Sequence, residues 1–379
     1  MEIKRKKVGI IYNFSPKWMG GVIYVLNVVK VLSFLKEEEQ PEVYLFYNPN
    51  LQRFVNEIDY PHLHAIEHPY PSVYKTFLKS LFTGKNQFVE PLIEQYQLDA
   101  VYPLHDYPVK SKSKAKLISW YADLQHMHYP QFFSKLKRLE RWLRVQFILK
   151  NTRDLVVSSY DVKNDFYAFF DIPAHVKFHV YHFVSIVDTF PTASKKEVCA
   201  QFKLPENYFV ICNQFHKHKN HKVALKAIAH LKKQGKTVHL VMTGKLPDDN
   251  QSAYIQELKQ LIATNALDNQ VHFLGVIPRD AQLAVMWHAD AILQPSLFEG
   301  WSTVNEDAIS LQKPVIAANL CVNVEQLKSA GFYFSPHNYR ELAEELVARN
   351  YAAITEPIYE PYEQRVTRAA YTLKNILFD

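Results

Sequence analysis

The stretch of sequence that decides the fold reads Gln294-Pro-Ser-Leu-Phe-Glu-Gly-Trp-Ser-Thr-Val-Asn-Glu-Asp-Ala308. It follows the apolar run Ala291–Leu293 and leads into a helical pattern that begins near Ser302 or Thr303. A strand, a loop and a helix in this order form the repeating unit of a parallel α/β sheet. Because the N–H groups of a first helical turn can hold an anion such as a pyrophosphate, the loop marks a predicted ligand site. The alternative is an ordinary capped helix with an acidic first turn.

The same alternation of β-branched or aromatic runs with helical patterns extends along the whole chain, which predicts parallel sheets covered by helices. In the first half it predicts strands at Val8–Tyr12, Val43–Tyr47, Ala100–Pro103, Leu117–Trp120 and Leu155–Ser158. In the second half it predicts strands at Phe209–Cys212, Val238–Thr243, Val271–Leu274, Ala291–Leu293 and Val315–Ala317.

Length and composition favour two such domains. The chain has 379 residues, of which 48% are apolar and 22% are charged, so it can build more than one sizeable core. The polar, turn-forming stretch Pro191–Lys196 marks a boundary. We therefore predict an N-terminal domain over residues 1–190 and a C-terminal domain over 191–359, with a helix over 360–379 that packs back on the first domain.

Charge and cysteine usage narrow the class of protein. A net charge of +6 favours anionic partners such as phosphates or an acidic membrane surface, but the chain has no reader motif for nucleic acid. Three distant cysteines, Cys199, Cys212 and Cys321, argue against a disulfide framework and fit a reducing compartment.

No apolar run approaches the length of a membrane span, so we expect a cytoplasmic protein. The basic helix Phe132–Lys150, with one cationic face turned to water, and the loop Ser111–Lys116 would allow peripheral contact with the inner membrane face; solubilising charge is the alternative.

Two further segments place polar side chains directly after predicted strands. Asn213–His221 carries six potential donors before a helix and could neutralise a diphosphate; a solvated basic turn, or a metal site made of its three histidines, is the alternative. Trp120–Pro130 crowds Asp123, Gln125, His126 and His128 at a strand end, and His105-Asp106 follows the preceding strand. His126 could donate to a substrate oxygen at neutral pH, whereas His105 and His128 are interpreted as ordinary loop residues.

Glycine is scarce, and five of the nine glycines follow predicted strands or begin helices, where the backbone can approach a ligand closely. These five are Gly20, Gly21, Gly244, Gly275 and Gly300.

These segments, in this order, resemble the retaining glycosyltransferases of family 4, which have the GT-B fold of two Rossmann-like domains with parallel sheets facing an interdomain cleft. The resemblance covers most of the chain and is closest from Val210 to Glu325. Its landmarks are Gly20-Gly21, Trp120…Asp123-Leu-Gln-His126, Asn213-Gln-Phe…His218-Lys-Asn-His221, Thr243-Gly244, Phe273-Leu-Gly275, Pro295-Ser-Leu-Phe-Glu-Gly-Trp301 and Glu325.

The resemblance implies roles for these residues. Glu299 would contact the hydroxyls of the donor sugar, with His126 and Asp123 as further catalytic residues, and Lys219 would contact the diphosphate. Gly20 and Gly21 would approach the donor phosphates and the acceptor, and the backbone of Gly275–Ile277 would line the base. The rest of the implied donor site consists of Gln214, His216, Gly244, Val276, Gly300, Trp301, Ser302, Thr303 and Glu306.

Two positions depart from the family pattern. The usual acidic pair is E-x7-E, but Asp307 stands eight residues after Glu299, and Glu306 stands seven after it. Neighbouring helical residues point about 100° apart, so only one can face the ribose; we assign Glu306, the longer side chain, and expect Asp307 to do little. Gln214 replaces a common arginine, whose charge His216 or Lys217 could supply.

The sequence therefore predicts a retaining, metal-independent glycosyltransferase that uses a nucleotide sugar as co-substrate and no cofactor. The acceptor would be a saccharide or a lipid-linked saccharide, in the setting of cell-surface polysaccharide biosynthesis. The alternatives are a nucleotide-sugar epimerase on the same fold, or a non-catalytic sugar-binding partner or scaffold of a transferase. A glycan phosphorylase would need a lysine-bound pyridoxal site, which the sequence does not reveal.

Overall fold

The computed structural model describes residues 4–70, 73–105, 111–245 and 252–379 and divides the chain into two α/β units. The first unit comprises Met1–Ile186 and Tyr362–Asp379, and the second comprises Val187–Pro361. The division thus falls after Ile186 rather than after residue 190. The C-terminal helix belongs to the first unit.

Within the described residues each unit is built on one sheet in which every strand pairing is parallel. The first sheet has the order β3-β2-β1-β4-β5-β6-β7, and the second has the order β10-β9-β8-β11-β12-β13. The strands are β1 Lys7–Tyr12, β2 Glu42–Tyr47, β3 Leu63–Glu67, β4 Ala100–Leu104, β5 Lys116–Tyr121, β6 Asp154–Val157, β7 Lys177–Val180, β8 Phe209–Cys212, β9 Leu240–Thr243, β10 Val271–Gly275, β11 Ala291–Gln294, β12 Val315–Ala318 and β13 Gly331–Phe334.

Helices connect these strands, as parallel pairing requires. They are α1 Met19–Lys30, α2 Gln52–Val55, α3 Val73–Thr83, α4 Glu90–Tyr96, α5 Gln125–His128, α6 Lys135–Asn151, α7 Tyr160–Phe169, α8 Lys195–Phe202, α9 His221–Lys233, α10 Ala253–Thr264, α11 Arg279–His288, α12 Thr303–Ser310, α13 Cys321–Leu327, α14 Tyr339–Ala348 and α15 Tyr362–Phe378.

The sequence patterns predict ten of these strands and miss β3, β7 and β13. All three missed strands lie at sheet edges, where a strand has one neighbour and is covered less completely. Every residue of the central strands β4, β8, β11 and β12 is buried, whereas every residue of β3 is half-buried or exposed. Continuous runs of buried apolar residues, which identify a parallel strand in the sequence, are therefore absent from the three missed strands.

Each sheet has one point where the strand order reverses direction, between β1 and β4 in the first unit and between β8 and β11 in the second. At such a point the chain connections leave toward opposite sides and open a crevice at the carboxyl ends of the strands. The glycines at the start of α1 follow β1, and the Asn213–Asn220 loop follows β8. The Pro295–Ser302 loop follows β11. These three predicted site segments thus follow strands that border the two switch points.

The helix α15 is fixed to the first unit by ionic and hydrogen-bonding contacts. Its Tyr371 hydroxyl and Lys374 ammonium both reach the Glu39 carboxylate, each at 2.6 Å. Lys116, from β5, donates to the Ile376 carbonyl at 2.8 Å and lies 3.8 Å from Asp154. The Lys116 side chain therefore makes structural contacts and is not part of the basic surface loop that the sequence predicts for Ser111–Lys116.

Gly244 shows why a glycine follows β9. Its φ is +139°, and a Cβ at this position would lie 2.2 Å from the carbonyl oxygen of Asn213, which follows the neighbouring strand β8. The absence of a side chain therefore allows the segments that follow β8 and β9 to approach each other closely.

We expect Gly244→Ala to destabilise the second unit by about 3 kcal/mol or more, because it combines backbone strain with a clash against a fixed carbonyl. Gly235→Ala is the matched control: its φ is +75°, and a Cβ there would meet no atom within 4 Å. The control should lose only about 1 kcal/mol. Calorimetric unfolding of the two variants measures the difference, and equal losses would show that the close approach to Asn213 is not stabilising.

Candidate active site

The loops that follow β8 and β11 are fixed against each other at the switch point of the second unit. The Leu297 N–H donates to the His218 carbonyl at 2.7 Å. Asn220 adopts the left-handed conformation (φ 54°), and its side-chain amide donates to the carbonyls of Pro295 and Pro336 at 3.1 and 2.8 Å. Asparagine tolerates this conformation and can bond locally, so it suits the turn before α9.

An ion pair joins the two loops. The Lys219 ammonium lies 2.6 Å from the Oε1 atom of Glu299, and the two side chains are 18% and 9% exposed. A charge-assisted contact at this distance is stronger than a neutral hydrogen bond, particularly where water is largely excluded. The structure therefore brings together the two residues to which the sequence assigns the diphosphate and the donor sugar.

A buried amide positions Glu299 from the other side. Gln294, at the end of β11, donates through Nε2 to Glu299 Oε1 at 3.0 Å and to the Ser302 hydroxyl at 2.7 Å. Its own Oε1 accepts from Asn213 Nδ2 at 2.6 Å. Gln294 thereby connects the ends of β8 and β11 with the carboxylate and with the start of α12.

The first turn of α12 is held by a cap and by side-chain amides from α13. The Ser302 hydroxyl accepts from the Asn305 N–H at 3.2 Å, which makes Ser302 the N-cap. Gln326 donates to the Ser302 carbonyl at 2.9 Å and accepts from the Asn305 side chain at 3.1 Å. The N–H groups of Thr303 and Val304 stand at the open, positive end of this helix, where an anion is stabilised.

Glu306 and Asp307, the two candidate acidic residues on α12, both form contacts within the second unit, so Asp307 has a structural role, and its expected small effect on the donor stays a prediction. Asp307 and Glu306 are each 2% exposed. Arg279 donates to Asp307 through both terminal nitrogens, with Nη1 2.6 Å from Oδ2. Glu306 accepts from Gln326 at 2.8 Å. The assignment of the ribose to Glu306 stays a prediction.

The histidines of the Asn213–His221 segment do not supply positive charge at neutral pH. Burial, reinforced by the charge of Lys219, lowers the pKa values of His218 and His221 to about 3. The same causes lower the pKa of His216, whose ring bonds to the Gln214 side chain at 3.0 Å. The positive charge of this turn therefore comes from its lysines. Within the described ranges, no three histidine, cysteine or acidic side chains are grouped closely enough to hold a metal ion.

The remaining predicted donor residues of the second unit surround this core. Gly275 ends β10 with φ +66°, and a Cβ there would meet nothing within 4 Å, while Val276 is 75% exposed. This segment therefore offers an open, partly apolar surface, as a base would require. Gly300 is buried, and Trp301 and Thr303 are half-buried.

In the first unit the predicted catalytic residues lie where β5 leads into α5. Asp123 accepts from the Gln125 N–H at 3.0 Å. His126 is 2% exposed, and its ring nitrogens have no hydrogen-bond partner among the described residues. Burial, together with the charges of Arg141 and Arg138, lowers the pKa of His126 to about 4, so the ring is neutral at pH 7. A neutral ring can donate one hydrogen bond and accept another.

The two histidines interpreted as loop residues have structural contacts. His128 forms a 2.8 Å pair with Asp165, and His105 lies 3.3 Å from Arg144. Asp106, which follows His105 in the sequence, lies outside the described residues.

The glycines that begin α1 accommodate an aromatic side chain. A Cβ on Gly21 would lie 2.5 Å from the ring of Trp18, and this indole stacks on Trp120 with centroids 5.7 Å apart. Gly20 is exposed, and a Cβ there would meet the Trp18 indole nitrogen at 3.5 Å. Part of the requirement for glycine at this position is therefore internal packing, independent of any ligand.

Sequence reasoning missed several residues that build the site. Gln294 stands within the quoted decisive stretch, but its role depends on Asn213, 81 residues away. Gln326 and Arg279 come from other elements, and no spacing rule relates them to α12. The sequence feature that could have identified Gln294 and Gln326 is a polar residue next to apolar ones, because a buried polar side chain needs hydrogen-bond partners. Gln294 ends an apolar strand, and Gln326 lies among apolar helix positions.

The second unit matches a known protein family. Residues 195–348, which lie within the second unit, match the model of the family of glycosyl transferases group 1, and this match supports glycosyl transfer as the activity. No sequence relative was found among curated proteins.

Solved structures show the same fold for the whole chain, which is GT-B. Sucrose-phosphate synthase from Thermosynechococcus elongatus is 16% identical with a TM-score of 0.64, and the match covers 99% of this chain and 95% of that one. Anabaena HepE in complex with UDP-glucose is 18% identical with a TM-score of 0.65, covering 97% and 99%. WaaG, a glycosyltransferase involved in lipopolysaccharide biosynthesis, is 15% identical with a TM-score of 0.62, covering 96% and 99%.

We expect Asp307→Asn to lower the free energy of unfolding of the second unit by about 2 kcal/mol, because it leaves the Arg279 guanidinium without its carboxylate in a largely dry environment. The Arg279 side chain is 35% exposed, which keeps the loss below that of a fully buried pair. Adding Arg279→Gln to Asp307→Asn should recover part of the loss. Glu306→Gln, which retains a hydrogen-bonding side chain beside Gln326, is the control for stability and should lose less. If calorimetry gives the same free energy of unfolding for Asp307→Asn and the wild type, the Arg279–Asp307 pair does not stabilise the second unit.

Proposed function

We propose that the protein is a retaining glycosyltransferase that moves a sugar from a nucleotide-sugar donor to a saccharide or lipid-linked saccharide acceptor. The setting we propose is cell-surface polysaccharide biosynthesis. The three cysteines are free, which fits a reducing compartment, and we place the reaction in the cytoplasm.

The observation that carries this proposal is the Lys219–Glu299 pair, positioned by Gln294 beside the N-terminus of α12. It combines a cation, a helix N-terminus and a fixed carboxylate. The first two are suited to a diphosphate, and the carboxylate is suited to sugar hydroxyls. Both described bonds to Glu299 use Oε1, so we assign Oε2 to a hydroxyl of the donor sugar.

The reaction breaks the bond between the anomeric carbon and the diphosphate oxygen, and it forms a bond from that carbon to the oxygen of an acceptor hydroxyl, whose proton passes to the departing diphosphate. Negative charge develops on the departing diphosphate, and Lys219 with the α12 N–H groups would stabilise it. Such preorganised donors are usually the largest single contribution to catalysis. Because the protein itself supplies this positive charge, we propose that transfer is independent of metal ions and needs no further cofactor.

The first unit would bind the acceptor. Asp123 and the neutral ring of His126 follow the carboxyl end of β5. This strand is the neighbour of β4, which borders the switch point where ligands of α/β proteins bind. We assign to His126 a hydrogen bond to a substrate oxygen, and to Asp123 a polar contact with the reacting sugars.

The structural neighbours guide the choice of donor and pathway. HepE has been crystallised with UDP-glucose, and WaaG acts in lipopolysaccharide biosynthesis. We therefore propose a UDP-sugar as the first donor to test, with the uracil on the open surface at Gly275-Val276 and the ribose near Glu306.

Lys219→Ala should weaken UDP binding about tenfold to a hundredfold, because it removes a charge-assisted contact to the diphosphate. Lys226→Ala is the matched control: it removes the same charge from an exposed position on α9, the helix that follows this turn. Its affinity should stay within about twofold of the wild type. Titration calorimetry with UDP compares the three proteins, and equal affinity in Lys219→Ala and the wild type would remove Lys219 from the site.

Incubation with UDP-sugars and saccharide acceptors should give transfer that persists in excess EDTA and retains the anomeric configuration, read by NMR of the product. Glu299→Gln should depress kcat strongly while leaving UDP affinity nearly unchanged, because UDP lacks the sugar that the carboxylate contacts. Loss of transfer in EDTA with restoration by magnesium would contradict metal independence. Nucleotide-sugar binding without any turnover would identify a scaffold, and sugar interconversion without transfer would identify an epimerase.

A further inference from the structure

A groove of about 440 Å³ lies at the amino ends of strands β8, β9 and β11 in the second unit. Its volume falls within the range of small-ligand sites. The loops that carry Lys219 and Glu299 follow the carboxyl ends of β8 and β11, at the opposite edge of the same sheet. Because β8 has four residues and a parallel strand rises about 3.3 Å per residue, the two places lie about 10 Å or more apart. The groove is therefore separate from the candidate active site.

The floor of the groove is apolar. It is formed by five side chains that are each at most 8% exposed, namely Tyr208, Phe209, Val238, Leu346 and Tyr351. The two phenol hydroxyls are used within the unit, where Tyr208 donates to the Val285 carbonyl at 2.8 Å and Tyr351 donates to the Glu345 carbonyl at 3.1 Å. The floor therefore offers a ligand apolar contact, while its hydroxyls are already engaged.

Four polar side chains from four separate segments surround this floor. Asn207 precedes β8, and Thr237 precedes β9. Asp290 precedes β11, and Asn350 follows α14. The side chains of Asn207, Thr237 and Asn350 are exposed and make no hydrogen bond to any of the described residues. Because amide and hydroxyl groups can both donate and accept, they match a ligand that carries several hydroxyls.

Asp290 adds a carboxylate with unused acceptor capacity. Its Oδ1 atom is buried and accepts no hydrogen bond from the part of the chain that the structure describes. The Lys195 ammonium lies 3.9 Å from this atom, which is beyond hydrogen-bonding distance. Burial raises the pKa of this carboxyl, and the charges of Lys195 and Lys313 offset the shift only in part. A ligand hydroxyl that donates to this carboxylate would therefore stabilise it.

The charge around the groove favours a neutral ligand over a phosphorylated one. The guanidinium at its rim belongs to Arg349, which pairs with Glu345 at 3.2 Å and lies over the Phe332 ring at 4.4 Å. Phosphate groups are bound in proteins by cations that are available to them. Here the cation is engaged elsewhere, and the Asp290 carboxylate would repel an anion.

We propose that this groove binds a neutral saccharide, at a site separate from the one at which sugar transfer would take place. Hydroxyls of the saccharide bond to Asn207, Asn350 and the Asp290 carboxylate, while the apolar face of a sugar ring lies against the buried floor. A convergence of a few polar groups on an apolar depression is the usual form of a small-ligand site. The inference does not rest on the transferase activity, because it concerns a second ligand of this unit.

The experiment is titration of the full chain with three neutral hexasaccharides, maltohexaose, mannohexaose and chitohexaose, in saturating UDP and read by saturation-transfer NMR. At least one of them should bind, with a Kd on the order of 1 mM. Asn207→Ala/Asn350→Ala should weaken this binding about tenfold, because it removes two hydrogen-bonding side chains and leaves the floor intact. Asn269→Ala/Asn375→Ala is the matched control, because it makes the same change at two exposed positions outside the groove. The control should bind like the wild type.

Thermal unfolding and UDP titration establish that each variant is folded. Since saccharide binding requires no turnover, a failure of the proposed transferase activity would leave this test unaffected. Absence of binding by all three hexasaccharides would overturn the proposal, and so would equal binding by the groove variant and the wild type, which would place the saccharide elsewhere on the chain. Binding of glucose 6-phosphate that the groove variant weakens, without any hexasaccharide binding, would also overturn it and would identify the groove as an anion site.

Discussion

The candidate site depends on one buried side-chain amide. Gln294 is 0% exposed at the end of β11, where its oxygen accepts from Asn213 and its nitrogen donates to Glu299 and Ser302. Only a group with both donor and acceptor atoms can make these bonds, and a buried amide left without partners would destabilise the native state. The ends of β8 and β11, the start of α12 and the Glu299 carboxylate are thus connected through one residue.

The same arrangement explains how a mildly basic chain produces a localised positive site. Burial keeps His218 and His221 neutral, and Asp307 pairs with Arg279. Lys219 is therefore the cation of the Asn213–Asn220 loop that faces a carboxylate at close range. An ammonium group has three donors, so the contact with Glu299 holds Lys219 in position and leaves it able to donate to a further acceptor.

Much of the fold could be predicted from sequence because buried parallel strands leave continuous apolar runs, and these occur at β1, β4, β8, β11 and β12. The order of loop motifs likewise predicted that Lys219 and Glu299 belong to one site. The edge strands β3, β7 and β13 could not be found this way, because partial exposure removes the run. Nor could sequence show that Gln326 holds α12 or that Trp18 lies over Gly21, since such contacts depend on how helices pack. The cations Lys135, Lys137 and Arg138 of α6 are exposed as the sequence predicts, but the sequence did not show that leucines of this helix are exposed as well.

The return of α15 to the first unit makes that unit discontinuous in the chain, while the second unit is a single uninterrupted segment. Val366, Ala370, Leu373 and Leu377 of α15 are completely buried, and its Tyr371 and Lys374 reach Glu39. During synthesis, the first unit therefore cannot finish folding until these late residues have left the ribosome. The second unit can fold as soon as it has emerged, so the portion that follows in sequence is free to reach its native state before the portion that precedes it.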